Sequence, residues 1–258
     1  MDILNVNGIS FYYGETQILK NISFSVGEGK ICCILGQNGT GKTTLLKCIQ
    51  GILQPKKGEV LIKGKSVYEM KCKQVARNIS VVPQQMSVVF PYTVLDIVLM
   101  AKVSRTNFLG APKKKDENDV IKILNSLKIS HLCHKRFNEL SGGERQMVLM
   151  ARAIYQDTPI VLLDEPTSHL DYKNQIVIME MIKHVVKTKK ITAIINIHDP
   201  NLALNYCDDI IMIKNGCLLM KGNPEDIICE RYLSNLYDMS ITVDKTRAGK
   251  TVVVPWSA

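Results

Sequence analysis

No apolar run in this sequence approaches the ~18 residues that a membrane-spanning helix needs. The first five residues also lack the charged region followed by an apolar region that marks a secretory signal. Of the 258 residues, 46% are hydrophobic and 22% are charged, a composition that supplies a sizeable core. We therefore expect a soluble, cytoplasmic protein that forms one large domain or two small ones.

Cysteine pairs with metal-binding or redox spacing are also missing, because none of the eight cysteines belongs to a C-x-x-C motif. Cys32 and Cys33 lie inside an apolar run, which favours their burial. The segment 131–134, His-Leu-Cys-His, is a weak metal candidate because no second ligand pair accompanies it. We expect free and mostly buried thiols in a reducing compartment.

The net charge of +9 is compatible with a nucleic-acid or anionic-membrane partner, but the lysines and arginines are spread along the chain. Tight clusters occur only at 113–115 and 187–190. No aromatic residues alternate with these clusters to stack on bases. We interpret both clusters as solvated surface and do not expect nucleic acid as a partner.

A phosphate-loop motif is the main functional signal of the chain. The pattern G-x-x-x-x-G-K-[ST] is fitted by Gly36, Gln37, Asn38, Gly39, Thr40, Gly41, Lys42 and Thr43. An apolar run at 31–35 predicts a buried strand before the motif, and residues 44–52 predict a helix after it. Glycines let backbone N–H groups point at phosphate oxygens, and the helix adds its positive end. We expect Lys42 to reach the β- and γ-phosphates of a nucleoside triphosphate and Thr43 to bind Mg²⁺.

Several apolar segments predict the strands of an α/β fold. Alternating residues over 3–26 predict two strands at the N-terminus. Further strands are predicted at 58–64, 79–84, 160–166 and 191–197. Asn215-Gly216 is the strongest short turn signal in the chain and predicts a hairpin across residues 210–220.

Residues 85–152 carry a helical pattern instead, which predicts a helical insertion in the α/β chain. A Pro/Gly/Lys-rich break divides this region at 108–115. The tail from Met239, which includes Trp256, has a mixed pattern and receives no role from the sequence.

Reactive side chains follow two of the predicted buried strands. Asp164 and Glu165 lie near the end of strand 160–166, at the edge where open α/β sheets bind ligands. Asp164 can hold Mg²⁺ opposite the phosphate loop. If the backbone stays extended, Glu165 faces the other way, and we interpret it as the general base for water. His198 follows strand 191–197, where a histidine is more often structural but can also reach the γ-phosphate.

A helix start with two glycines lies at residues 140–144, Leu-Ser-Gly-Gly-Glu. Ser141 and Glu144 fit the capping box S-x-x-E ahead of an apolar helical run. Gly142 and Gly143 would let an anion approach the helix N-terminus closely. The same residues also fit an ordinary helix start.

In this order, the motifs resemble the ATPase subunit of an ATP-binding cassette (ABC) transporter over roughly residues 1–225. The set consists of the phosphate loop, Gln84, the segments 140–146, 162–165 and 168–171, and His198. Leu-Ser-Gly-Gly-Glu is its most specific member. The segments 82–84, 93–98, 166–171 and 198–203 are most similar to importer subunits for iron chelates, haem, vitamin B12 or molybdate.

The resemblance implies an α/β fold with a phosphate-loop (RecA-like) core and a parallel sheet. It also implies an N-terminal antiparallel β subdomain and an inserted α-helical subdomain. The implied bounds are 1–85 and 150–238 for the nucleotide-binding core, 86–149 for the helical subdomain and 239–258 for the C-terminal tail.

The resemblance further implies roles in binding and hydrolysing ATP. ATP would be held by Gly36, Asn38, Gly39, Thr40, Gly41, Lys42, Thr43 and Thr44. Tyr13 would stack on the adenine, with Tyr12 as the competing choice. Mg²⁺ would be bound by Thr43, Gln84 and Asp164. Gln84 would also sense the γ-phosphate, Glu165 would polarise the attacking water, and His198 would contact the γ-phosphate.

The resemblance implies several partners. Two copies would face each other head to tail around two ATP molecules, with Ser141, Gly142, Gly143 and Asp171 acting across that interface. The dimer would bind integral membrane permease subunits at the cytoplasmic face of the membrane. An external substrate-binding protein would take part indirectly.

Non-transport relatives of such cassettes provide the alternatives. The gap between the phosphate loop and Ser141 is roughly a hundred residues without heptads, whereas DNA-repair members carry a long coiled coil there. Translation-type members carry two cassettes in one chain, whereas each motif occurs once here. A cluster-assembly ATPase and a binding-only regulatory cassette stay open as alternatives.

Overall fold

The computed structural model describes residues 1–104, 113–168 and 170–255. Residues 108–112 of the predicted break, His169 and Trp256 lie outside the described residues. The chain forms two compact units. Unit 1 comprises Met1–Glu69 with Thr192–Ala258, and unit 2 comprises Met70–Ile191.

Unit 1 contains most of the described strands. Its elements are β1 (Asp2–Tyr13), β2 (Thr16–Gly27), β3 (Ile31–Leu35), α1 (Lys42–Ile49), β4 (Lys57–Ile62), β5 (Lys65–Ser66), β8 (Thr192–Ile197), α7 (Pro200–Tyr206), β9 (Asp209–Lys214), β10 (Cys217–Gly222), α8 (Pro224–Ile227), α9 (Glu230–Tyr237), β11 (Ile241–Lys245) and β12 (Thr251–Pro255). A single 3-10 turn follows β5 at Val67–Glu69.

Unit 2 is mainly helical around two strands. Its elements are α2 (Cys72–Asn78), β6 (Ile79–Val82), α3 (Val94–Leu99), α4 (Lys114–Ser126), α5 (Gly142–Gln156), β7 (Ile160–Asp164) and α6 (Tyr172–Lys189). Short 3-10 helices occur at Met100–Ser104, Ser130–Leu132 and Phe137–Glu139.

The N-terminal strands of unit 1 form an antiparallel sheet in the order β2-β1-β4-β5. The predicted alternation is confirmed, because Leu4 and Val6 on β1 pair with Val26 and Phe24 on β2 and all four side chains are buried. This sheet is the antiparallel β part that the resemblance implied.

A second sheet in unit 1 positions the phosphate loop. Its parallel strands β9, β3 and β8 are extended by β10, which runs antiparallel to β9. All residues of β3 and β8 are buried, as expected for parallel strands covered on both faces. Leu35 on β3 pairs with Ile197 on β8, so the residues that follow these two strands start from the same edge.

Strands β6 and β7 of unit 2 are also parallel, so the residues that follow these two strands also start from the same edge. Val82 pairs with Leu163, so Gln84 and Glu165 both lie two residues beyond a paired position. Helices α3 and α4 both pack against α5, which forms the predicted helical insertion. The helical prediction for residues 85–93 is wrong, because α3 begins only after Thr93, whose hydroxyl accepts a hydrogen bond from the Asp96 amide at 3.2 Å.

Of the predicted hairpin and the predicted helix after the phosphate loop, the first is confirmed and the second has different bounds. The hairpin is confirmed, since Asn215 and Gly216 adopt φ angles of 50° and 78° between β9 and β10. The helix after the phosphate loop begins at Lys42 and ends at Ile49, earlier at both ends than predicted. The unassigned tail contains paired strands, β11 and β12. The predicted domain bounds stay a prediction.

All eight cysteines are free thiols. Five are buried, namely Cys32, Cys33, Cys48, Cys133 and Cys207, and burial raises the pKa of the Cys48 thiol to about 12. Within the described residues, no helix is both long and apolar enough to cross a membrane.

Candidate nucleotide-binding and hydrolysis site

The phosphate loop runs from the end of β3 to the start of α1. Gly41, at its end, has a φ of +97°, and a Cβ there would lie 2.8 Å from Cδ2 of Leu19. A side chain at this position would therefore be both strained and too close to β2. Thr40 stabilises the turn by donating its hydroxyl proton to the Gln37 carbonyl at 2.9 Å. The tip of the loop, Asn38 and Gly39, is exposed.

Lys42 is buried, with 4% of its surface exposed. Its ammonium donates hydrogen bonds to the carbonyls of Gly36 at 2.8 Å and Gln37 at 2.9 Å. A buried charge needs such partners, because leaving water without them is costly. These contacts hold the ammonium within the loop, where the sequence predicts phosphate binding. The next residues of α1 are Thr43, which is exposed, and Thr44, which is half-buried.

His198 lies against the phosphate loop. Its Nδ1 is 3.4 Å from Nζ of Lys42 and 3.4 Å from the Gly36 carbonyl oxygen. The pairing of β3 with β8 explains this contact, because Gly36 and His198 each follow one of two paired residues. Unit 1 therefore brings together Lys42 and His198, which are 156 positions apart in the chain.

Two tyrosines at the end of β1 compete for the adenine role. Tyr13 is 49% exposed, and its ring packs edge-on against Phe11 with ring centroids 4.9 Å apart. Phe11 pairs with Leu19, the residue that approaches Gly41. The Tyr12 ring is instead covered by the Lys56 ammonium at 5.1 Å. The Phe11 ring therefore links Tyr13 to the β2 side chain that approaches Gly41, and the choice between Tyr13 and Tyr12 for the adenine stays a prediction.

In unit 2, Gln84 and Glu165 meet beyond the ends of β6 and β7. Nε2 of Gln84 donates a hydrogen bond to Oε2 of Glu165 at 2.8 Å. The extended backbone considered at Glu165 is not found, because this residue has a φ of +51°. The left-handed region costs a residue with a side chain about 1–2 kcal/mol.

The turn after Glu165 holds it in this strained conformation. The amide of Ser168 donates to the Glu165 carbonyl at 3.1 Å, and the Ser168 hydroxyl donates to the same oxygen at 2.9 Å. Backbone strain kept in place by its surroundings is typical of functional positions.

The residues predicted to bind Mg²⁺ offer only oxygen ligands. They are the Thr43 hydroxyl in unit 1, and the Gln84 amide and Asp164 carboxylate in unit 2. Because Nε2 of Gln84 donates to Glu165, its Oε1 is the amide atom that can bind a cation. Mg²⁺ prefers such hard oxygen ligands, so each of these groups is chemically suited to the metal, and their joint role stays a prediction.

The start of α5 contains the predicted capping box, which the structure confirms. The Ser141 hydroxyl accepts from the Glu144 amide at 3.3 Å, and the Ser141 amide donates to Oε2 of Glu144 at 2.8 Å. That amide holds the pKa of the Glu144 carboxyl below its usual range, so the carboxylate stays ionised. Since the Ser141 oxygen accepts here, its own proton can still be donated to another group.

Gly143 and Asp171 have local structural roles as well. A Cβ at Gly143 would lie 3.3 Å from Cγ of Asn174, so the glycine lets α5 approach α6 closely. Asp171 caps α6 by accepting from the Asn174 amide at 2.8 Å and from its Nδ2 at 3.1 Å. Unit 2 thus connects Asp171 to the start of α5 through Asn174.

Gln146 belongs to the segment 140–146 that carries the resemblance, but the sequence predicted no role for it. It is 6% exposed, and its Nε2 donates to the Gln84 carbonyl at 3.0 Å, which joins α5 to the residue that contacts Glu165. Among the described residues, its Oε1 and Nε of Arg145 are buried without a hydrogen-bond partner. A polar residue on the buried face of a predicted helix was the available signal.

Arg145 and Gln146 border a cleft of about 290 Å³ in unit 2. The cleft is also lined by Met86, Phe137, Leu149 and Leu170. The chain just after Gln84 is fixed beside it, because Nδ2 of Asn138 donates to the Val88 carbonyl at 2.8 Å.

Residues 19–168 match the family model for the ABC transporter. The chain is 40% identical over 237 residues to a Helicobacter pylori protein named "Probable iron chelatin transport ATP-binding protein", covering 92% of this chain and 93% of that one.

Solved structures agree with these matches. A transporter provisionally described as metal-chelate type, in an inward-facing conformation, is 30% identical with a TM-score of 0.89, covering 100% of this chain and 98% of that one. A dimeric ATP-binding cassette bound to ADP and Pi is 27% identical with a TM-score of 0.76, covering 86% of this chain and 98% of that one.

The fold and the phosphate loop define an ATP-hydrolysing cassette. The chain belongs to the ABC transporter family. The fold class that the resemblance implied is therefore confirmed.

Proposed function

We propose that this chain powers a membrane transporter that imports an iron chelate, haem, cobalamin or a related metal compound. The names of the similar proteins support this class of cargo. The observation that best supports hydrolysis is the hydrogen bond between Gln84 and Glu165, at a turn whose strained backbone aims a carboxylate beyond the strand end.

The residues of unit 1 would bind ATP. Lys42 and the amides of the phosphate loop would hold the β- and γ-phosphates, and Tyr13 would stack on the adenine. His198 would donate a hydrogen bond to the γ-phosphate, and its contact with the loop supports this role. These groups would orient the phosphates and offset their charge, which are the main requirements of phosphoryl transfer.

The residues of unit 2 would act on the attacking water. Glu165 would accept its proton as general base, and Gln84 would orient the Glu165 carboxylate through the hydrogen bond between them. Thr43, Gln84 and Asp164 would hold Mg²⁺, which when bound adds positive charge beside the phosphates.

A second copy of the chain would complete each site. The Ser141 hydroxyl and the amides of Gly142 and Gly143 would bind the γ-phosphate of ATP held by the facing copy. Asp171 would act across the same interface. A similar cassette forms a dimer with ADP and Pi, which supports this assembly.

The cleft in unit 2 would bind an integral membrane permease subunit at the cytoplasmic face of the membrane. Val89 and Phe90, in the segment that follows Gln84, are 92% and 64% exposed. Neighbouring apolar side chains that face water are typical of protein interfaces. Binding there would be transmitted to Glu165 through Gln84.

The first experiment changes Glu165 to glutamine in the full chain. Loss of the base should lower ATP turnover by roughly 10²–10⁴-fold. ATP should still bind, because the phosphate loop is unchanged, and sizing with ATP should show a dimer. Normal turnover in this variant would refute the role of Glu165 as base.

The second experiment tests the permease surface by changing Phe90 to aspartate. A tagged chain expressed with its neighbouring membrane genes should recover a polytopic membrane protein, and the variant should recover at least about fivefold less. Ile52→Asp is the matched control, because Ile52 is an exposed apolar residue of unit 1. Recovery of soluble cluster-assembly proteins instead would favour the non-transport alternative.

A further inference from the structure

The C-terminal part of unit 1 touches the turn that carries His198. The Tyr237 hydroxyl, at the end of α9, donates a hydrogen bond to the His198 carbonyl at 2.7 Å. The two residues are 39 positions apart, and both lie beyond residues 19–168, which match the family model. Burial raises the pKa of the Tyr237 phenol, so it remains a protonated donor near neutral pH.

Helix α9 is firmly anchored, so Tyr237 can serve as a fixed support. Its Leu233 and Leu236 side chains are fully buried. At the end of the helix, the Lys214 ammonium donates to Oδ1 of Asn235 at 3.0 Å and forms an ion pair with Asp238. An anchored helix pays little entropy to hold the Tyr237 hydroxyl in place.

A second contact, between Asn201 and strand β12, holds the residues that follow His198. Asn201, in the first turn of α7, donates from Nδ2 to the Val253 carbonyl at 3.0 Å and accepts from the Val253 amide at 2.8 Å. The backbone of Val253 on β12 therefore forms hydrogen bonds with both the NH₂ group and the carbonyl oxygen of the Asn201 side chain. Asp199 caps the same helix by accepting from the Asn201 amide at 2.7 Å.

The direction of the His198 side chain follows from its backbone. The imidazole leaves the chain beside the carbonyl that Tyr237 binds, and its Nδ1 lies 3.4 Å from the Gly36 carbonyl. A displacement of the backbone at His198 would move the imidazole relative to the phosphate loop. Small displacements of a catalytic group are costly, because catalysis depends on its position.

We propose that Tyr237 is a positioning residue for ATP hydrolysis, and that the contact of Asn201 with β12 supports it. Together they fix His198 against the phosphate loop, which gives the C-terminal tail a role in the reaction. This inference rests on the proposed role of His198 at the γ-phosphate.

Changing Tyr237 to phenylalanine removes only the hydroxyl. We expect kcat for ATP hydrolysis to fall roughly three- to tenfold, as befits one lost hydrogen bond, while KM for ATP changes less than about twofold. A kcat equal to that of the unchanged chain would overturn the proposal.

Tyr68→Phe is the matched control. Its hydroxyl also donates to a backbone carbonyl in unit 1, that of Cys48 near the end of α1, at 3.1 Å. This variant should keep its kcat within about twofold, because one lost bond there leaves His198 untouched. An equal fall of kcat in both variants would show that the loss is one of general stability and would contradict the proposal.

A double-variant cycle separates this proposal from the proposed function. His198→Ala alone should abolish most of the turnover, and adding Tyr237→Phe should lower the remainder by less than about twofold. If His198→Ala retains full turnover, the role of His198 and this proposal both fail. If His198→Ala loses turnover but Tyr237→Phe does not, only the positioning role fails.

Asn201→Ala provides an independent test should Tyr237→Phe fold poorly. It removes two hydrogen bonds to β12 and should lower kcat by a similar factor, with KM for ATP again nearly unchanged. A folded Asn201→Ala chain with full kcat would overturn the role of the tail.

Discussion

Helices α1 and α5 both begin at sites proposed for phosphate, yet their first turns differ. The N-cap of α1 is Gly41, which has no side chain, and its first turn contains no acidic residue. The N-cap of α5 is Ser141, whose hydroxyl is used within the helix, and Glu144 adds a carboxylate to the first turn. Each helix start carries about half a positive charge.

The difference indicates that the two helix starts have different roles in phosphate binding. The first turn of α1 has no side-chain cap and no acidic residue, and Lys42 adds a full positive charge. At α5 the ionised Glu144 offsets the helix dipole, so free phosphate should bind there only weakly. We infer that α1 binds the nucleotide and that α5 engages it only once a facing copy presents it.

Among the substitutions that test this comparison of α1 with α5, a side chain at the start of α1 should have the largest effect. Gly41→Ala should raise the Kd for ATP at least about tenfold, which corresponds to 1.4 kcal/mol. The new Cβ would meet Leu19 at 2.8 Å in a backbone conformation that favours glycine. Isothermal titration of the full chain with ATP measures the change.

Gly29→Ala is the control for backbone strain alone. Gly29 also has a positive φ, of 70°, but no atom lies within 4 Å of the added Cβ. It should lower the free energy of unfolding by about 1–2 kcal/mol without changing the Kd for ATP. Similar Kd values for both variants would contradict the special role of the α1 start.

A smaller effect is expected at the start of α5, where two substitutions of Ser141 separate capping from phosphate binding. Ser141→Ala should cost about 1 kcal/mol of unfolding free energy, because the cap is lost. Ser141→Asp keeps a good capping residue, so stability should stay within about 0.5 kcal/mol. Its carboxylate would repel phosphate, so turnover and the ATP-dependent dimer should fall more than in Ser141→Ala.

Chemical denaturation, turnover assays and sizing with ATP provide the three measurements. A Ser141→Asp chain that hydrolyses ATP normally would reduce Ser141 to a helix cap. The start of α5 would then no longer be supported as a phosphate-binding site.

The positions that local chemistry dictates could be predicted from the sequence. The phosphate loop, the capping box and the turn at Asn215-Gly216 each depend on residues within a few positions of one another. The buried strands were also predictable, because continuous apolar runs favour parallel strands covered on both faces. The order of these motifs was enough to indicate the family and the chemistry.

Only the tertiary structure decided how distant residues meet. The left-handed backbone of Glu165 is held by the turn closed by Ser168, and its carboxylate meets Gln84 from beyond the end of another strand. The contacts of the Tyr13 and Tyr12 rings with Phe11 and Lys56 also depend on packing between separate segments. The contact of Tyr237 with His198 depends on how α9 packs in unit 1. Such contacts follow from packing between separate elements, which local sequence patterns do not encode.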